Sequence, residues 1–228
     1  MSMEMTRERK RKTSRSSPLL INQVVAPGAR WRGWAAITLA PGKKTMGRRA
    51  YWDRDLGADL DRLLELEATA LVPLLEDDEL ERLGIEGLVV EARRRGLAVE
   101  RFPFHDGGVP PGMGAAVRFV AGLCGRLERG ERVVMHCNGG LGRAGTMAAC
   151  LRLALGLDGS AAAAIRAVRR ARGPRAIETR AQEDFIGAFV GAWRRAQRER
   201  GGGSGEESGV GEESGVGEES GVGEESGV

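Results

Sequence analysis

At 228 residues the chain can hold one domain with a substantial core plus tails, and no apolar run approaches the ~20 residues that span a bilayer. A net charge of +3 conceals eight glutamates that are the only charges beyond residue 205, which leaves +11 on residues 1–205; this favours phosphorylated or polyanionic partners, while 4% aromatics argue against a base-stacking nucleic-acid surface. Three widely spaced cysteines exclude a disulfide framework and zinc pairs and predict a reducing, cytoplasmic setting.

Residues 1–17 scatter Arg7, Arg9, Lys10, Arg11, Lys12 and Arg15 among serines and threonines without apolar periodicity, and are expected to be a disordered basic tail. Asn22 and Gln23 interrupt the apolar stretch that follows, so no secretory signal is expected. The folded domain is expected over residues 18–200, with strands over 19–25 and 34–39 and a turn at Pro41-Gly42-Lys43-Lys44. From Asp55 onward Leu56, Leu60, Leu63 and Leu64 share a helical face. The run 70–75 reads as a buried strand, 76–83 as a short helix with an acidic start, 87–95 as another helix, and 97–102 as another strand. Strands alternating with helical stretches predict an α/β fold: a single domain with a central, mostly parallel sheet flanked by helices.

The glycines and prolines of 102–111 make a loop around an isolated carboxylate, Asp106. A loop between strand and helix can deliver an acid while closing over a site, and the same aspartate also suits an Asx-turn ahead of Gly107. His105 reads as a solvated loop residue. Val117, Val120, Ala121, Cys124 and Leu127 recur at helical spacing, which puts Cys124 in the core; Cys150 shares a core face with Met147, Leu151 and Ala154.

Between those two helices, Val133-Val134-Met135-His136-Cys137 reads as a strand. Asn138, Gly139, Gly140, Leu141 and Gly142 follow as a glycine-rich turn, and Arg143 opens an apolar helix. Backbone N–H groups of such a turn can point inward, and the helix dipole favours negative charge at the same place. The loop therefore suits a phosphoryl dianion, the same field favours Cys137 as a thiolate, and Arg143 can hold two phosphate oxygens in a bidentate fork. Neither of the other cysteines shares this context, since glycines Gly130 and Gly156 stand six residues after Cys124 and Cys150.

A further helix is predicted from Asp158 or Ser160 to about Arg172, and Arg166, Arg169, Arg170 and Arg172 on it read as a solvated face or as a site for a phosphorylated partner. Glu178-Thr179-Arg180-Ala181-Gln182 opens the last helix, where Thr179 and Gln182 form a capping box. Residues 201–228 end in Gly-Glu-Glu-Ser-Gly-Val repeated four times, with too little apolar surface to order, and are expected to be a disordered acidic tail.

The string His136-Cys137, five residues, Arg143 has the H-C-x5-R signature and resembles the cysteine-dependent protein phosphatases, and within them the dual-specificity group, over about residues 35–195. The resemblance implies a dual-specificity and protein tyrosine phosphatase-like fold and hydrolysis of phosphotyrosine, phosphoserine or phosphothreonine with no metal or cofactor. Its substrate would be a phosphoprotein, with a kinase as a candidate partner. By the same resemblance Cys137 is the nucleophile, Arg143 and loop residues 138–142 bind phosphate, and Asp106, about thirty residues upstream, is the general acid. Many relatives read Gln-Thr-x-x-Gln where this chain has Glu178 and Gln182, so these two are candidates to position the hydrolytic water, alongside a purely structural role for Gln182. Two rivals remain open: a phosphoinositide or RNA phosphatase, although Asn138 to Gly142 offer no charge, and a phosphopeptide-binding pseudophosphatase, suggested by Ala144 where relatives carry Ser or Thr.

Overall fold

A computed structural model describes residues 10–47 and 50–202. The N-terminal part contains β1 (Lys10–Lys12), β2 (Asn22–Val25), β3 (Trp34–Leu39), β4 (Lys44–Met46) and β5 (Ala50–Asp53). Helix α1 (Leu56–Glu65) follows, capped by the Asp55 side chain on the Ala58 N–H, and leads to β6 (Ala70–Pro73), α2 (Asp77–Arg82), α3 (Leu88–Arg94) and β7 (Ala98–Val99). The C-terminal part holds α4 (Met113–Glu128), β8 (Arg132–Cys137), α5 (Gly142–Ala154), α6 (Ala161–Arg172) and α7 (Arg180–Gly202). Among the described residues no helix is long and apolar enough to cross a membrane.

Five strands form the central sheet in the order β2-β3-β8-β6-β7, parallel except for β2 at one edge. The middle strand, β8, runs parallel to both neighbours, and side chains alternate across it as the strand period of two requires. Val133 and Met135 face a core built with α4, α5, α6 and α7, whereas Val134 faces a second core built with Leu60, Leu63, Leu80 and Leu88. Covered on both faces, β8 is buried from Val133 onward and ends at the carboxyl edge of the sheet with Cys137. Ligand sites of open parallel sheets lie at that edge.

Three differences from the sequence expectation have physical causes. Residues 10–17, expected within a disordered tail, are ordered: β1 pairs in parallel with β5, Arg11 bonds Asp53, and the Ser17 carbonyl accepts from Arg54. Together with the β4–β5 hairpin this makes a second, three-stranded sheet, held by backbone bonds that composition does not reveal. The strand expected over 97–102 shrinks to two residues, because beyond Val99 the chain follows β6 only through single bonds such as Phe102 N–H to Pro73 O. The expected tail segments 1–9 and 203–228 lie outside the described residues.

One buried ion pair ties the two sheets together. Arg54 and Asp59 are both fully buried and bond through Nε–Oδ2 (2.6 Å) and Nη2–Oδ1 (2.7 Å). Arg54 Nη1 also donates to Ser17 O at 2.6 Å, and Asp59 Oδ2 accepts the Gly42 N–H at 2.9 Å. Removing one partner strands the other charge without solvent. Asp59→Leu should therefore lower unfolding stability by about 3–5 kcal/mol in urea titrations, and adding Arg54→Met should restore part of it. Additive losses in the double variant would show that the pair is not coupled.

Candidate active site

The carboxyl end of β8 delivers Cys137, only 2% exposed, into the turn 138–142. Gly140 has φ +66°, and a β-carbon there would overlap the Thr38 carbonyl oxygen on β3, so no other residue closes this turn against the sheet. Helix α5 starts at Gly142 and brings its N-terminal partial charge to the loop. His136, fully buried beside Cys137, is pushed down to about 4 by burial and is neutral at physiological pH.

Arg143 is completely buried and its guanidinium is almost fully committed. Nη1 donates to Glu79 Oε2 (2.5 Å), Phe104 O (2.8 Å) and Leu74 O (3.2 Å); Nη2 donates to Glu79 Oε1 at 2.7 Å and lies 2.9 Å from Asp106 Oδ1. Nε has no protein partner. Burial pulls the Arg143 guanidinium down, but the Glu79 hydrogen bonds and the charge at Cys137 outweigh it and raise it. Asp106, 58% exposed, thus stands at the mouth of the site and His105 beside it is largely solvated. A cleft of about 570 Å³ opens here, lined by Thr45, Glu79, Arg82, His105, Asp106 and Asn138 among others.

Glu79 is the site residue the sequence reading missed. It sits in the acidic start of α2, where its Oε2 also accepts the Glu76 N–H at 3.0 Å as half of a capping box. The pattern Glu76-x-x-Glu79 announced a helix start; nothing in it announced a partner 64 residues away.

Helix α6 also departs from the solvated face that was one of its readings. Arg166 and Arg170 are exposed, but Arg169 reaches Ala176 O, Ile177 O and Glu183, and Arg172 donates from Nε to Gly140 O (3.0 Å) and from Nη2 to Gly139 O (2.9 Å). The segment that Arg169 holds is strained. Ile177 has φ +63°, a left-handed conformation disfavoured for a β-branched residue by roughly 1–3 kcal/mol, and its N–H is pinned to Leu141 O at 3.3 Å.

The bend at Ile177 carries Glu178 and Gln182 to the start of α5. A β-carbon on Gly142 would lie 2.6 Å from Glu178 Oε2 and 3.0 Å from Gln182 Nε2, so both side chains border the loop. Gln182 is buried with both ends of its amide engaged: Oε1 accepts the Glu178 N–H (2.9 Å) and Nε2 donates to Gly108 O (3.0 Å). Thr179 completes the cap, accepting the Gln182 N–H and donating to Gly107 O, which ties α7 to the loop carrying Asp106. Ala144 is fully buried, and the nearby Thr146 hydroxyl is spent on Gly142 O at 2.9 Å. The other two thiols are unsuited to nucleophilic work, since burial pushes Cys124 up to about 12 and Cys150 higher still.

Comparison with known proteins fits this geometry. The family model described as "Swiss Army Knife protein, DSP-PTPase phosphatase domain" matches residues 52–186. The chain is 32% identical over 111 residues to cyclin-dependent kinase inhibitor 3 of Rattus norvegicus, covering 49% of this chain and 52% of that protein. To the Sus scrofa protein of the same name it is 25% identical over 173 residues, covering 76% and 79%. It thus spans about half the length of the first curated relatives it matches. Among solved structures, kinase associated phosphatase with its catalytic-site cysteine changed to serine aligns with a TM-score of 0.69 at 24% identity, covering 78% of this chain and 97% of that one, a likeness of fold.

Burial pushes the Glu79 carboxyl up, but hydrogen bonds from Arg143 and from the Glu76 backbone outweigh it and hold it below the ordinary carboxylate value of 4.5. A depressed folded-state value means that stability is present above the unfolded value and is lost as pH falls through the folded one. The stability difference between wild type and Glu79→Gln should accordingly be largest above pH 4.5 and shrink as the solution is acidified below it. Urea unfolding midpoints across that range check this, and a difference independent of pH would remove the charge from the explanation.

Proposed function

The chain belongs to the DSP-PTPase phosphatase domain family, and from that premise we propose that it is a protein phosphatase that hydrolyses phosphotyrosine, phosphoserine or phosphothreonine through a phosphocysteine. The observation that carries this reading is the convergence on Arg143: one buried guanidinium is held by Glu79, touches Asp106, and feels the charge of Cys137.

In the first step the Cys137 thiolate attacks phosphorus, and the loop amides with Arg143 hold the non-bridging oxygens. Glu79 takes one hydrogen from each Nη atom, which leaves Nε and the Nη2 hydrogen facing Asp106 as the fork for the substrate. Asp106 gives its proton to the departing alkoxide or phenoxide. Water then attacks the phosphocysteine with Asp106 accepting its proton, and the Cys137 thiolate leaves. Glu178, beside Gly142 at the start of α5, is the candidate to orient that water, while Gln182 serves mainly to anchor the Asp106 loop to α7. No step requires a metal or cofactor. The substrate is a phosphoprotein, a kinase among the candidates in view of the relatives' names, and a working thiolate suits a reducing compartment such as the cytoplasm. A phosphoinositide or RNA substrate fits less well, because Asn138 to Gly142 carry no charge.

Turnover of p-nitrophenyl phosphate and of phosphopeptides should vanish in Cys137→Ser and Arg143→Lys, since lysine keeps the charge but loses the planar fork. Wild-type rates in either variant would overturn the mechanism. Asp106→Asn should slow alkyl phosphates by ~10²–10⁴ and an activated aryl phosphate less, because its phenoxide leaves readily. Equal losses on both would reduce Asp106 to a loop-structural role.

Departure of the thiolate in the second step lacks a hydroxyl donor, since Ala144 has none and Thr146 is turned to Gly142. A hydrogen bond to a charged group is worth ~1.5–3 kcal/mol, so hydrolysis of the intermediate should be slowed roughly 10-fold to 100-fold and limit turnover. Rapid mixing with an activated aryl phosphate should give a burst near one phenol per site, and Ala144→Ser should shrink the burst and raise the steady rate. No burst, with the rate unchanged in Ala144→Ser, would make the first step limiting.

A further inference from the structure

Two cations lie behind the loop rather than in front of it. Lys43, 5% exposed, extends Nζ to Asn138 O (2.9 Å) and Asn138 Oδ1 (3.2 Å) and stands 4.8 Å from the centroid of the Trp52 ring. All three ammonium donors are thereby given a partner within the protein, none of which is a substrate. Its own turn is rigidly held: Asp59 accepts the Gly42 N–H, Arg54 N–H donates to Lys43 O at 3.2 Å, and Gly42 at φ +73° packs directly against Leu56. Arg172 takes the next two carbonyls, those of Gly139 and Gly140.

A trans peptide is planar, with its C=O and N–H on opposite sides. The cations hold the carbonyls of 138, 139 and 140, the first of which also accepts the Ala40 N–H at 3.2 Å, so the N–H groups of Gly139, Gly140 and Leu141 each point away from the cation that holds the preceding carbonyl. We infer that Lys43 and Arg172 are positioning residues of the phosphate site: an outer clamp that aims the loop amides inward and places positive charge behind the Cys137 thiolate. This rests on the reading of Cys137 as the nucleophile.

The clamp has a built-in alkaline limit. Burial above all, opposed by the charge at Cys137 and helped by the neighbouring Arg54 and Arg172, lowers Lys43 to about 8. Arg172 is also lowered by burial, but from 12.5, and remains charged throughout the working range. Lys12 approaches the same Trp52 ring, 4.9 Å from its centroid, and adds a further positive charge there. Above about pH 8 the ammonium loses its proton and with it the charge behind the loop.

The test uses the full-length protein with two readouts independent of turnover: the rate of Cys137 alkylation by iodoacetate, assigned by peptide mass, and protection of that cysteine by sulfate, a dianion over the whole pH range. Lys43→Gln can still donate a hydrogen bond but has no charge. At near-neutral pH it and Arg172→Gln should each alkylate more slowly and bind sulfate more weakly by roughly tenfold, with an unchanged melting temperature. In wild type sulfate protection should fall between about pH 7 and about pH 9, and in Lys43→Gln it should be flat over that interval. Wild-type alkylation and sulfate protection in both variants would overturn the inference, whether or not the protein hydrolyses a phosphoester. Should the variants not fold, the wild-type profile decides by itself: a flat sulfate profile across that interval overturns the clamp, and a fall supports it.

Discussion

The buried bidentate pair between Arg143 and Glu79 is the interaction on which the rest of the site depends. A guanidinium with no solvent exposure is tolerated only where its donors are met and its charge is balanced. Glu79 meets both Nη atoms, and the carbonyls of Leu74 and Phe104 take what remains of Nη1. One side chain on α5 is thereby joined to the end of β6, to α2 and to the loop that carries Asp106. With Arg143 so fixed, Nε is without a partner among the described residues, and Asp106 approaches the free hydrogen of Nη2 from the solvent side.

Around that node the loop is shaped from outside. Gly140 must be glycine because the β3 backbone occupies the space of its side chain, and Gly142 lies against the side-chain ends of Glu178 and Gln182. Behind them Lys43 and Arg172 hold three successive carbonyls, brought there by the 41–44 turn and the end of α6. The backbone strain at Ile177 belongs to the same scheme. Arg169 and the Leu141 carbonyl hold it, and it brings Glu178 against α5, where a relaxed backbone would carry that side chain elsewhere.

Legibility in the sequence followed the range of the interactions. The strand–glycine turn–helix of 133–146 is local, so Cys137, the loop and Arg143 were readable from residue types alone, and β8 and α5 lie where that reading put them. The alternation of strands and helices gave the parallel sheet for the same reason. Glu79, Lys43 and Arg172 were not readable as parts of the site, because their partners lie 64, 95 and 32–33 residues away and each has an ordinary local explanation as a helix cap, a turn residue or a solvated arginine. Residues 10–17 look disordered by composition and are ordered by pairing with β5 and by Arg54, neither of which leaves a mark on their own sequence.

The most direct measurement is chemical trapping of the intermediate. Mixing the enzyme with an activated aryl phosphate, quenching in acid within one turnover and mapping peptides by mass spectrometry should find a phosphoryl group on the peptide of Cys137. It should be absent when Cys137 is serine and longer-lived than in Ala144→Ser. Turnover with no phosphorylated Cys137, or with the phosphoryl group on another side chain, would contradict a mechanism built on the thiolate that β8 delivers to this loop.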